Sequence, residues 1–339
     1  MHLPLRRFLP LLCSASIATV ALPASVHAGD APPALDWPKT APVYDHVVIV
    51  LEENKDYEQI INNAWTPYIS SVLCKEGAVF TQMFGEEHSS EGNYFWLFSG
   101  NNHRIGFYDQ MPQHLLKAPN LGEQLLKNGL TFMGYSENLP AVDSTVVVWP
   151  PKPDRALYAR KHVPWVSFSN LSNGTSLPFT QFPKDAAGFG NLPTVSFVIP
   201  NLINDMHDGA PKDSVPAGDT WLKENIDAYY QWARKHNSLL VLTFDENDNR
   251  GHYQGLTNPG VSLDGPDAEF RHSLQNRIPT IFAGAHIKAG EYPEGKGITH
   301  VNLLRTFEAM YGLGKSGDQQ PNALGIGITN DYVVTDVFQ

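Results

Sequence analysis

His46-Val47-Val48-Ile49-Val50-Leu51 is the stretch that decides the fold of this chain, and it runs directly into Glu52-Glu53-Asn54. An apolar run without polar alternation is typical of a strand that is buried on both faces, as strands are in parallel sheets covered by helices. Further runs of this kind lie at 195–199, 239–244 and 278–283.

Segments with helical spacing lie between and after these runs. Apolar residues recur every three or four positions in 219–234 and in 300–311. Asp219 is the expected N-cap of the first segment, and Gly312 follows the second, where a helix commonly ends. Strands that alternate with helices over this length predict an α/β fold, a three-layer α/β/α sandwich with a mostly parallel central sheet.

The first residues of the chain predict export. Arg6 and Arg7 precede a mostly apolar stretch that is too short to span a bilayer, and small residues before Gly29 offer a cleavage site. We therefore expect cleavage near Ala28 and a periplasmic or extracellular protein without integral membrane association. The expected organisation is a signal peptide at 1–28, a linker at 29–42 and a single domain at 43–339, with an excursion at 141–191 that could line a pocket.

Charge and cysteine content narrow the function further. The chain carries a formal net charge of −11, and loss of Arg6 and Arg7 with the leader would make it more negative. A protein that binds nucleic acid through bulk charge is therefore not expected. Cys74 would be the single cysteine left after cleavage, so we expect no disulfide within the chain and interpret its thiol as structural.

Acidic residues follow two of the apolar runs. Glu52-Glu53-Asn54 follows the first run, and Asp245-Glu246-Asn247-Asp248 follows the run at 239–244. Ligands of open α/β sheets bind beyond the carboxyl ends of the strands. Clustered carboxylates repel each other unless a divalent cation lies between them; oxygen ligands favour Mg, Ca or Mn, and added histidine would admit Zn or Fe. The alternative is that these acids are solvent-exposed turn and cap residues.

Ser90 precedes an apolar stretch with helical character at 94–98. One interpretation of such a serine is a helix N-cap. The same position would also place its hydroxyl where the helix N–H groups favour an anion, as a phosphoryl-transfer nucleophile requires. A metal or a base would have to lower the pKa of the hydroxyl, and the carboxylates at the strand ends could supply that metal.

Histidines occur in two further groups of polar residues. Asp205, His207 and Asp208 follow the apolar run at 195–199, and His300 opens the last predicted helix. An Asp-His-Asp group at a strand end could bind a second metal. Alternatively, a histidine could contact the phosphate and protonate the leaving group.

Five segments of the chain stand in a characteristic order: DHVVIVLEEN (45–54), HSSEGNY (88–94), NLINDMHD (201–208), TFDE (243–246) and THVNLLRT (299–306). In this order they resemble the phosphoesterase family that contains bacterial and fungal acid phosphatases and bacterial phospholipases C, within the alkaline phosphatase superfamily. The resemblance covers nearly all of the chain after the leader. It implies an alkaline phosphatase-like fold.

The resemblance also implies roles for individual residues. Ser90 would become phosphorylated, and alignment on His88 and Asn93 selects it over Ser89. The family often has prolines where this chain has Ser89 and Gly92, so the loop that enters the nucleophile helix should be less rigid here. One divalent metal would be held by Glu53, Asn54, Ser90, Asp245 and Glu246.

Further implied contacts concern the substrate. Asn93 would hydrogen-bond a phosphate oxygen. The segment 158–165 also resembles a family segment near the site, and its Arg160, Lys161 and His162 could bind an anionic substrate, although a solvated charged loop is the alternative. Whether a second metal is bound stays open, so we expect one or two per chain. The residues that would either hold it or bind phosphate are Asp205, His207, Asp208 and His300.

Together these features predict a secreted metal-dependent phosphomonoesterase, similar to acid phosphatases, that hydrolyses phosphate esters through a phosphoserine on Ser90. His207 or His300 would protonate the leaving alcohol. One alternative is a phospholipase C-type phosphodiesterase that acts on phospholipid headgroups. An alternative from another class is a non-catalytic protein that binds metal or phosphate.

Overall fold

The structure is a computed structural model that describes residues 35–88, 90–105, 112, 114–248, 276–293, 298–317 and 332–339. All of these residues belong to one compact unit. The predicted signal peptide at 1–28 lies outside the described residues, as do Ser89 and the first part of the predicted linker. Within the described ranges, no helix combines the length and the apolar character that a membrane crossing requires.

The apolar runs of the sequence become strands of one central sheet. The run at 239–244 gains one residue at its start, and the run at 278–283 is displaced by one to two residues. In chain order the strands are β1 (His46–Glu52), β2 (Ala78–Phe80), β3 (Met83–Phe84), β4 (Phe132–Ser136), β5 (Val148–Trp149), β6 (Tyr158–Ala159), β7 (Ser176–Pro178), β8 (Val195–Ile199), β9 (Ser238–Phe244), β10 (Thr280–Gly284), β11 (Gly290–Tyr292) and β12 (Ile298–Thr299).

Eight of the described strands form this sheet in the order β11-β2-β10-β9-β1-β8-β4-β7. Among these strands only β10 runs antiparallel to its neighbours, β9 and β2. All other pairs of the sheet are parallel. The predicted mostly parallel sheet is therefore confirmed. The sequence of β10 is as apolar as that of the parallel strands because burial on both faces, and not strand direction, produces such a run.

Helices cover both faces of the sheet, since β1, β8 and β9 are buried at nearly every position. The helices are α1 (Tyr57–Ile60), α2 (Cys74–Glu76), α3 (Ser90–Ser99), α4 (Leu121–Lys127), α5 (Ala186–Phe189), α6 (Pro211–Asn225), α7 (Asp227–Ala233) and α8 (His300–Met310). Contacts divide most of them into two groups: α3 packs on α4 and α8, whereas α1, α6, α7 and α5 pack successively on one another. The predicted α/β fold with helices on both faces is confirmed.

The helix predicted at 300–311 is α8, which Thr299 and Asn302 begin with a reciprocal capping box. The prediction of a single helix at 219–234 was wrong. Two helices, α6 and α7, occupy this region, and they meet at Ile226.

The prediction that Asp219 is the N-cap of its helix was also wrong, because Asp219 lies inside α6. Its carboxylate instead accepts hydrogen bonds from the backbone N–H groups of Tyr68 and Ile69, at 2.9 and 2.8 Å. These residues begin a π-helical turn, Ile69–Leu73, that leads into α2. Asp219 therefore stabilises the start of a different helical segment. Cys74 follows that turn as a half-buried free thiol, and burial raises the pKa of this thiol to about 11.

The excursion at 141–191 has little regular structure. Its strands β5 and β6 form a separate antiparallel pair, and β7 joins the edge of the central sheet beside β4. Thr145, Trp165 and Ser176 line a cavity of about 240 Å³ on this side of the molecule.

The central strands end together. Glu52 of β1 is the register partner of Phe244 in β9, and the N–H of Asp245 donates to the carbonyl of Glu52 at 3.2 Å. On the other side of β1, beyond the end of β8, the N–H of Glu53 donates to the carbonyl of Asp205 at 2.7 Å. The residues that follow β1, β8 and β9 therefore meet at one edge of the sheet.

Candidate active site

Acidic residues from all three strand ends are buried at this edge. Glu53, Asp205 and Asp245 have no exposed surface, and Glu246 is 7% exposed. Asn54, beside Glu53, is partly buried. The interpretation of these acids as solvent-exposed turn residues is therefore wrong.

Ser90 lies between the acids of β1 and β9. It is the first residue of α3 and is 3% exposed. Its Oγ donates to Glu53 Oε2 at 3.1 Å and lies 3.4 Å from Glu246 Oε1. Since a hydroxyl donates one hydrogen, the two carboxylates are alternative acceptors for it. The structure thus brings Ser90 together with acidic residues that the sequence predicts for the same site.

Asn93 holds the loop that leads into α3. Its Oδ1 accepts hydrogen bonds from the N–H groups of Glu86 and Glu87, both at 3.0 Å, and its Nδ2 donates to the carbonyl of Glu87 at 2.7 Å. Asn276 donates to the same carbonyl at 2.6 Å. These bonds fix the backbone immediately before Ser90.

His162 reaches the acids from the excursion. Its Nε2 lies 3.0 Å from Glu53 Oε1, and its Nδ1 lies 3.7 Å from Asp205 Oδ2. The ring stacks on Tyr94 with 5.2 Å between ring centroids. Burial lowers the pKa of His162 to about 3, and the attraction of the Glu53 carboxylate offsets only part of this effect. The imidazole is therefore neutral at pH 7, although the sequence suggests a basic spot here.

His207 differs from His162 in its exposure to solvent. Its side chain is 32% exposed, and its Nδ1 lies 2.7 Å from Asp208 Oδ1. The N–H of His207 donates to Asp205 Oδ1 at 2.8 Å, which links this residue to the buried acids. The rings of His207 and His162 lie 5.9 Å apart. His207 therefore stands between the buried acids and solvent.

His300 is fully buried, and both of its ring nitrogens have partners. Nδ1 lies 2.7 Å from Glu86 Oε2, and Nε2 lies 2.8 Å from the carbonyl of Phe244. The N–H of Val301 also donates to Glu86, at 3.0 Å. His300 thus connects the start of α8 to the end of β9, directly before Asp245.

Two residues near the acids have contacts that the sequence did not suggest. Lys55 is 3% exposed, and its Nζ donates to the carbonyl of Asn54 at 3.0 Å. His88 Nδ1 lies 3.1 Å from Glu246 Oε2, on the side away from Ser90. The sequence signal for both is their position close to residues already predicted for the site, since Lys55 follows Asn54 and His88 precedes Ser90 by two residues.

The surroundings of three buried acids raise the pKa of each of them. Burial raises the pKa of Asp245 well above its usual range, and the Glu53 and Glu246 carboxylates raise it further. Burial has the same effect on Asp205, again with Glu53 as an added cause. Burial and the Asp205 charge likewise raise the pKa of Glu52. The Lys55 ammonium opposes the rise at Asp205 only in part.

Comparison with known proteins decides the family. The sequence profile described as Phosphoesterase family matches residues 62–314. The chain belongs to the phosphoesterase family. Members and relatives with phosphatase names are hydrolases of phosphoric esters, and this chain is such a hydrolase. The predicted family and enzyme class are therefore confirmed.

Curated relatives of this phosphoesterase carry phosphatase and phospholipase names. A phosphatidylinositol-3-phosphatase of Mycobacterium tuberculosis is 45% identical over 276 residues, which cover 81% of this chain and 80% of that protein. A phosphate-repressible acid phosphatase of Penicillium chrysogenum is 25% identical over 81% of this chain and 60% of its own length. The non-specific phospholipase C6 of Arabidopsis thaliana is 25% identical over 71% of this chain and 46% of its own length.

Solved structures show the same fold. A protein of the alkaline phosphatase superfamily from Vibrio parahaemolyticus matches with a TM-score of 0.53 at 12% identity, over 83% of this chain and 72% of that one. A lipoteichoic acid synthase from Listeria monocytogenes matches with a TM-score of 0.51 at 14% identity, over 84% and 76% of the two chains. The predicted alkaline phosphatase-like fold of this phosphoesterase is confirmed.

One observation indicates that the residues of this phosphoesterase suit a divalent cation. Both carboxyl oxygens of Asp245 are buried without a hydrogen-bond partner, beside Glu53 and Glu246. Hard oxygen donors in this state are the ligands that Mg, Ca or Mn take. Within the described part of the chain, no group of three or more His, Cys, Asp and Glu side chains is arranged to hold a metal ion. Ser90 and Asn54 would have to complete the ligand set.

Proposed function

We propose that this phosphoesterase is a metal-dependent phosphomonoesterase that forms a phosphoserine on Ser90. The observation that carries the proposal is the position of Ser90 Oγ, 3.1 Å from Glu53 Oε2 and 3.4 Å from Glu246 Oε1, at the meeting point of two strand ends. Names of relatives support monoester hydrolysis, since a phosphatidylinositol-3-phosphatase and an acid phosphatase both remove a phosphate group.

The first chemical step forms a bond between Ser90 Oγ and phosphorus while the bond from phosphorus to the ester oxygen breaks. The hydroxyl proton has acceptors at hand in Glu53 and Glu246. In the second step water attacks the phosphoserine, phosphate leaves, and Ser90 recovers a proton. The hydrogen bonds of Asn93 to the preceding loop support Ser90 as the nucleophile, because they hold the backbone before Ser90 in one position.

For the proton that the leaving alcohol needs, we propose His207 and not His300. Both ring nitrogens of His300 are engaged with Glu86 and Phe244 in the interior. His207 is 32% exposed, and Asp208 holds its Nδ1, so that its Nε2 is the nitrogen left for a substrate oxygen.

A divalent cation would be held by Glu53, Asn54, Ser90, Asp245 and Glu246, in agreement with the sequence prediction. When bound, it would neutralise the crowded carboxylates and favour the ionised form of the Ser90 hydroxyl. Asp205, His207 and Asp208 lie near Glu53 and are proposed as phosphate or second-metal contacts. His162 stays a proposed substrate contact through its place beside Glu53. Export with a signal peptide at 1–28 stays a prediction.

The test compares a nitrophenyl phosphate monoester, its bis-ester and nitrophenyl phosphocholine, each before and after chelation and with single metals restored. We expect turnover of the monoester to exceed that of both diesters, to fall on chelation and to return with one or more divalent metals. Acid quenching during monoester turnover should trap phosphate on the peptide that contains Ser90, detected by mass spectrometry.

Other outcomes would support one of the alternative functions. Preference for the phosphocholine diester would make the protein a phospholipase C-type enzyme, the activity named for the Arabidopsis relative. Undiminished turnover after complete metal removal would contradict metal dependence. Phosphate binding without turnover of any ester would identify a non-catalytic protein.

A further inference from the structure

An apolar and basic surface lies on the β5–β6 pair and the loop after β8. We call it the Trp149 rim and define it by Val147, Trp149, Lys152, Arg155 and Ile203. Val147, Trp149 and Ile203 are 54%, 39% and 47% exposed. Val147 directly precedes β5, and Trp149 ends it.

The Trp149 rim is joined to the acids around Ser90 from two sides. The carbonyl of Val147 accepts a hydrogen bond from the N–H of Arg160 at 2.8 Å, and the next turn carries His162 to 3.0 Å from Glu53. The N–H of Leu202 donates to the carbonyl of Leu157 at 2.9 Å, which attaches the loop after β8 to the same hairpin. A surface in contact with the rim is therefore close to the entrance that His207 occupies.

The charge of the rim is opposite to that of the molecule. Lys152 and Arg155 are basic and Asp154 between them is acidic, in a chain of formal net charge −11. Lys152 is exposed. Arg155 is 77% exposed at the side chain, and its contact with the equally exposed Asp154, at 3.9 Å, is weak. Both cations are therefore available to an anionic partner.

We propose that the Trp149 rim docks on a membrane surface that contains anionic lipid and presents a phosphorylated lipid headgroup to Ser90. This inference rests on the proposed phosphomonoesterase function and names its substrate class. Tryptophan and aliphatic side chains enter the boundary between headgroups and acyl chains, while nearby lysine and arginine are attracted by anionic lipid. A small soluble ester requires neither property, so the composition of the rim favours a lipid.

The apolar part of the rim has a matched control elsewhere on the chain. Val43 and Trp65 are 51% and 40% exposed, close to the values for Val147 and Trp149. Val43 precedes β1 and thus lies at the sheet edge opposite the one that carries Ser90. The test variant is Val147→Ser with Trp149→Ala, and the control is Val43→Ser with Trp65→Ala.

Vesicle binding is measured in the Ser90→Ala background, so that the lipid is not consumed. The probes are phosphatidylcholine vesicles with and without a phosphatidylinositol monophosphate. We expect the rim variant to bind the anionic vesicles at least about tenfold more weakly, because it lacks the apolar side chains that would enter the membrane. The control variant should stay within about twofold. All variants share the same leader sequence, so any contribution of that segment cancels.

The basic part is tested with Lys152→Gln and Arg155→Gln. Each is expected to weaken binding to anionic vesicles by about fivefold and to reduce its salt dependence, with little effect on neutral vesicles. In the background that retains Ser90, all rim variants should hydrolyse nitrophenyl phosphate at the wild-type rate and lose activity only on vesicles.

The outcomes separate this inference from the proposed function. Wild-type turnover of nitrophenyl phosphate without vesicle binding would overturn the docking of the rim alone. Equal losses in the rim and control variants would overturn it as well, as would a change of oligomeric state in place of a change in vesicle affinity. If vesicles bind through the rim but no monoester is hydrolysed, the proposed function fails while the docking surface stands.

Discussion

Acidic side chains in two buried regions of this molecule differ in the partners that surround them. In α8, Glu308 and Arg305 are both fully buried, and Arg305 Nη1 donates to Glu308 Oε2 at 2.6 Å. The other oxygen of Glu308 accepts from the N–H of Ser316 at 2.5 Å, and Arg305 Nη2 donates to the carbonyl of Ser316 at 2.9 Å. Near Ser90, in contrast, both oxygens of Asp245 are buried without a partner.

The surroundings explain the difference. Burial raises the pKa of both acids, and Arg305 and Ser316 oppose the rise at Glu308. At Asp245 the Glu53 and Glu246 carboxylates add to the rise, and the nearby Glu246 N–H and Ser90 hydroxyl offset only part of it. A buried acid with protein partners on both oxygens belongs to the architecture of the fold. A buried acid surrounded by further acids indicates a site built for a ligand.

The largest expected effect separates two serines of the same helix. Ser90→Ala should lower monoester turnover by at least about 10⁴-fold, because it removes the proposed nucleophile. Ser99→Ala is the control, since Ser99 is also fully buried but donates to the carbonyl of Phe95 at 2.9 Å. It should retain activity within about tenfold. Steady-state kinetics and circular dichroism check both variants, and a Ser90→Ala protein with near wild-type turnover would refute the nucleophile.

The next effect concerns the two buried acids directly. Glu308→Gln should destabilise the fold by about 3–5 kcal/mol, because it leaves Arg305 as a buried charge without a carboxylate. Asp245→Asn should leave the stability of the chelated protein unchanged or raise it, since it relieves crowding among carboxylates, while monoester turnover falls by at least about 100-fold. Urea unfolding in the presence of chelator measures both; equal destabilisation by the two variants would remove the distinction between these regions.

A third acid, Glu87, has an intermediate environment that pH can reveal. Its Oε1 accepts from Trp96 Nε1 at 2.6 Å and from Asn102, while its Oε2 has no partner. Burial raises the pKa of Glu87 to about 7 from the ordinary value of 4.5. Between these values the folded protein holds the proton and the unfolded chain releases it, so stability falls as pH rises, by up to about 3 kcal/mol.

Glu87→Gln keeps an acceptor for Trp96 and carries no charge at any pH. The variant should therefore be more stable than the wild type above pH 7 and should lose the part of the pH dependence that Glu87 causes. Urea unfolding of the chelated protein from pH 5 to pH 8 measures this. Glu291→Gln, at an exposed position, corrects for the general loss of one negative charge. Parallel stability profiles of wild type and Glu87→Gln would contradict the expectation.

The smallest effect is expected at the surface. Lys127 Nζ lies 2.6 Å from Glu123 Oε1, but the lysine side chain is 69% exposed. Lys127→Met should change the free energy of unfolding by at most about 0.5 kcal/mol, because water screens the pair. A larger loss, seen in the same urea experiments, would mean that pairing stabilises this protein irrespective of burial.

Most of the sheet could be predicted from sequence because its central strands are buried on both faces. β1 and β8 begin or end where their apolar runs do, and the polar residues after β1 and β9 lie at the shared edge where Ser90 is found. The direction of β10 could not be predicted, since burial leaves the same apolar pattern in parallel and antiparallel strands.

Contacts between distant segments account for the remaining differences. Asp219 looks like an N-cap, but its partners are the N–H groups of Tyr68 and Ile69, far away in sequence. His162 looks like part of a basic surface spot, yet its ring is buried between Tyr94 and Glu53. Local spacing carries no information on such contacts, because they depend on how the excursion and the helices pack.

The pairing of β1 has a consequence for the order in which the chain can fold. Val47 pairs with Val195 on one side and with Leu239 on the other, so the first strand of the sheet has no neighbour in the first half of the sequence. A growing chain therefore carries an apolar strand that stays unpaired until more than half of the residues have been synthesised. Until β8 and β9 have been made, β1 exposes apolar surface and unpaired backbone groups, so it is the part of the growing chain at which a chaperone would prevent aggregation.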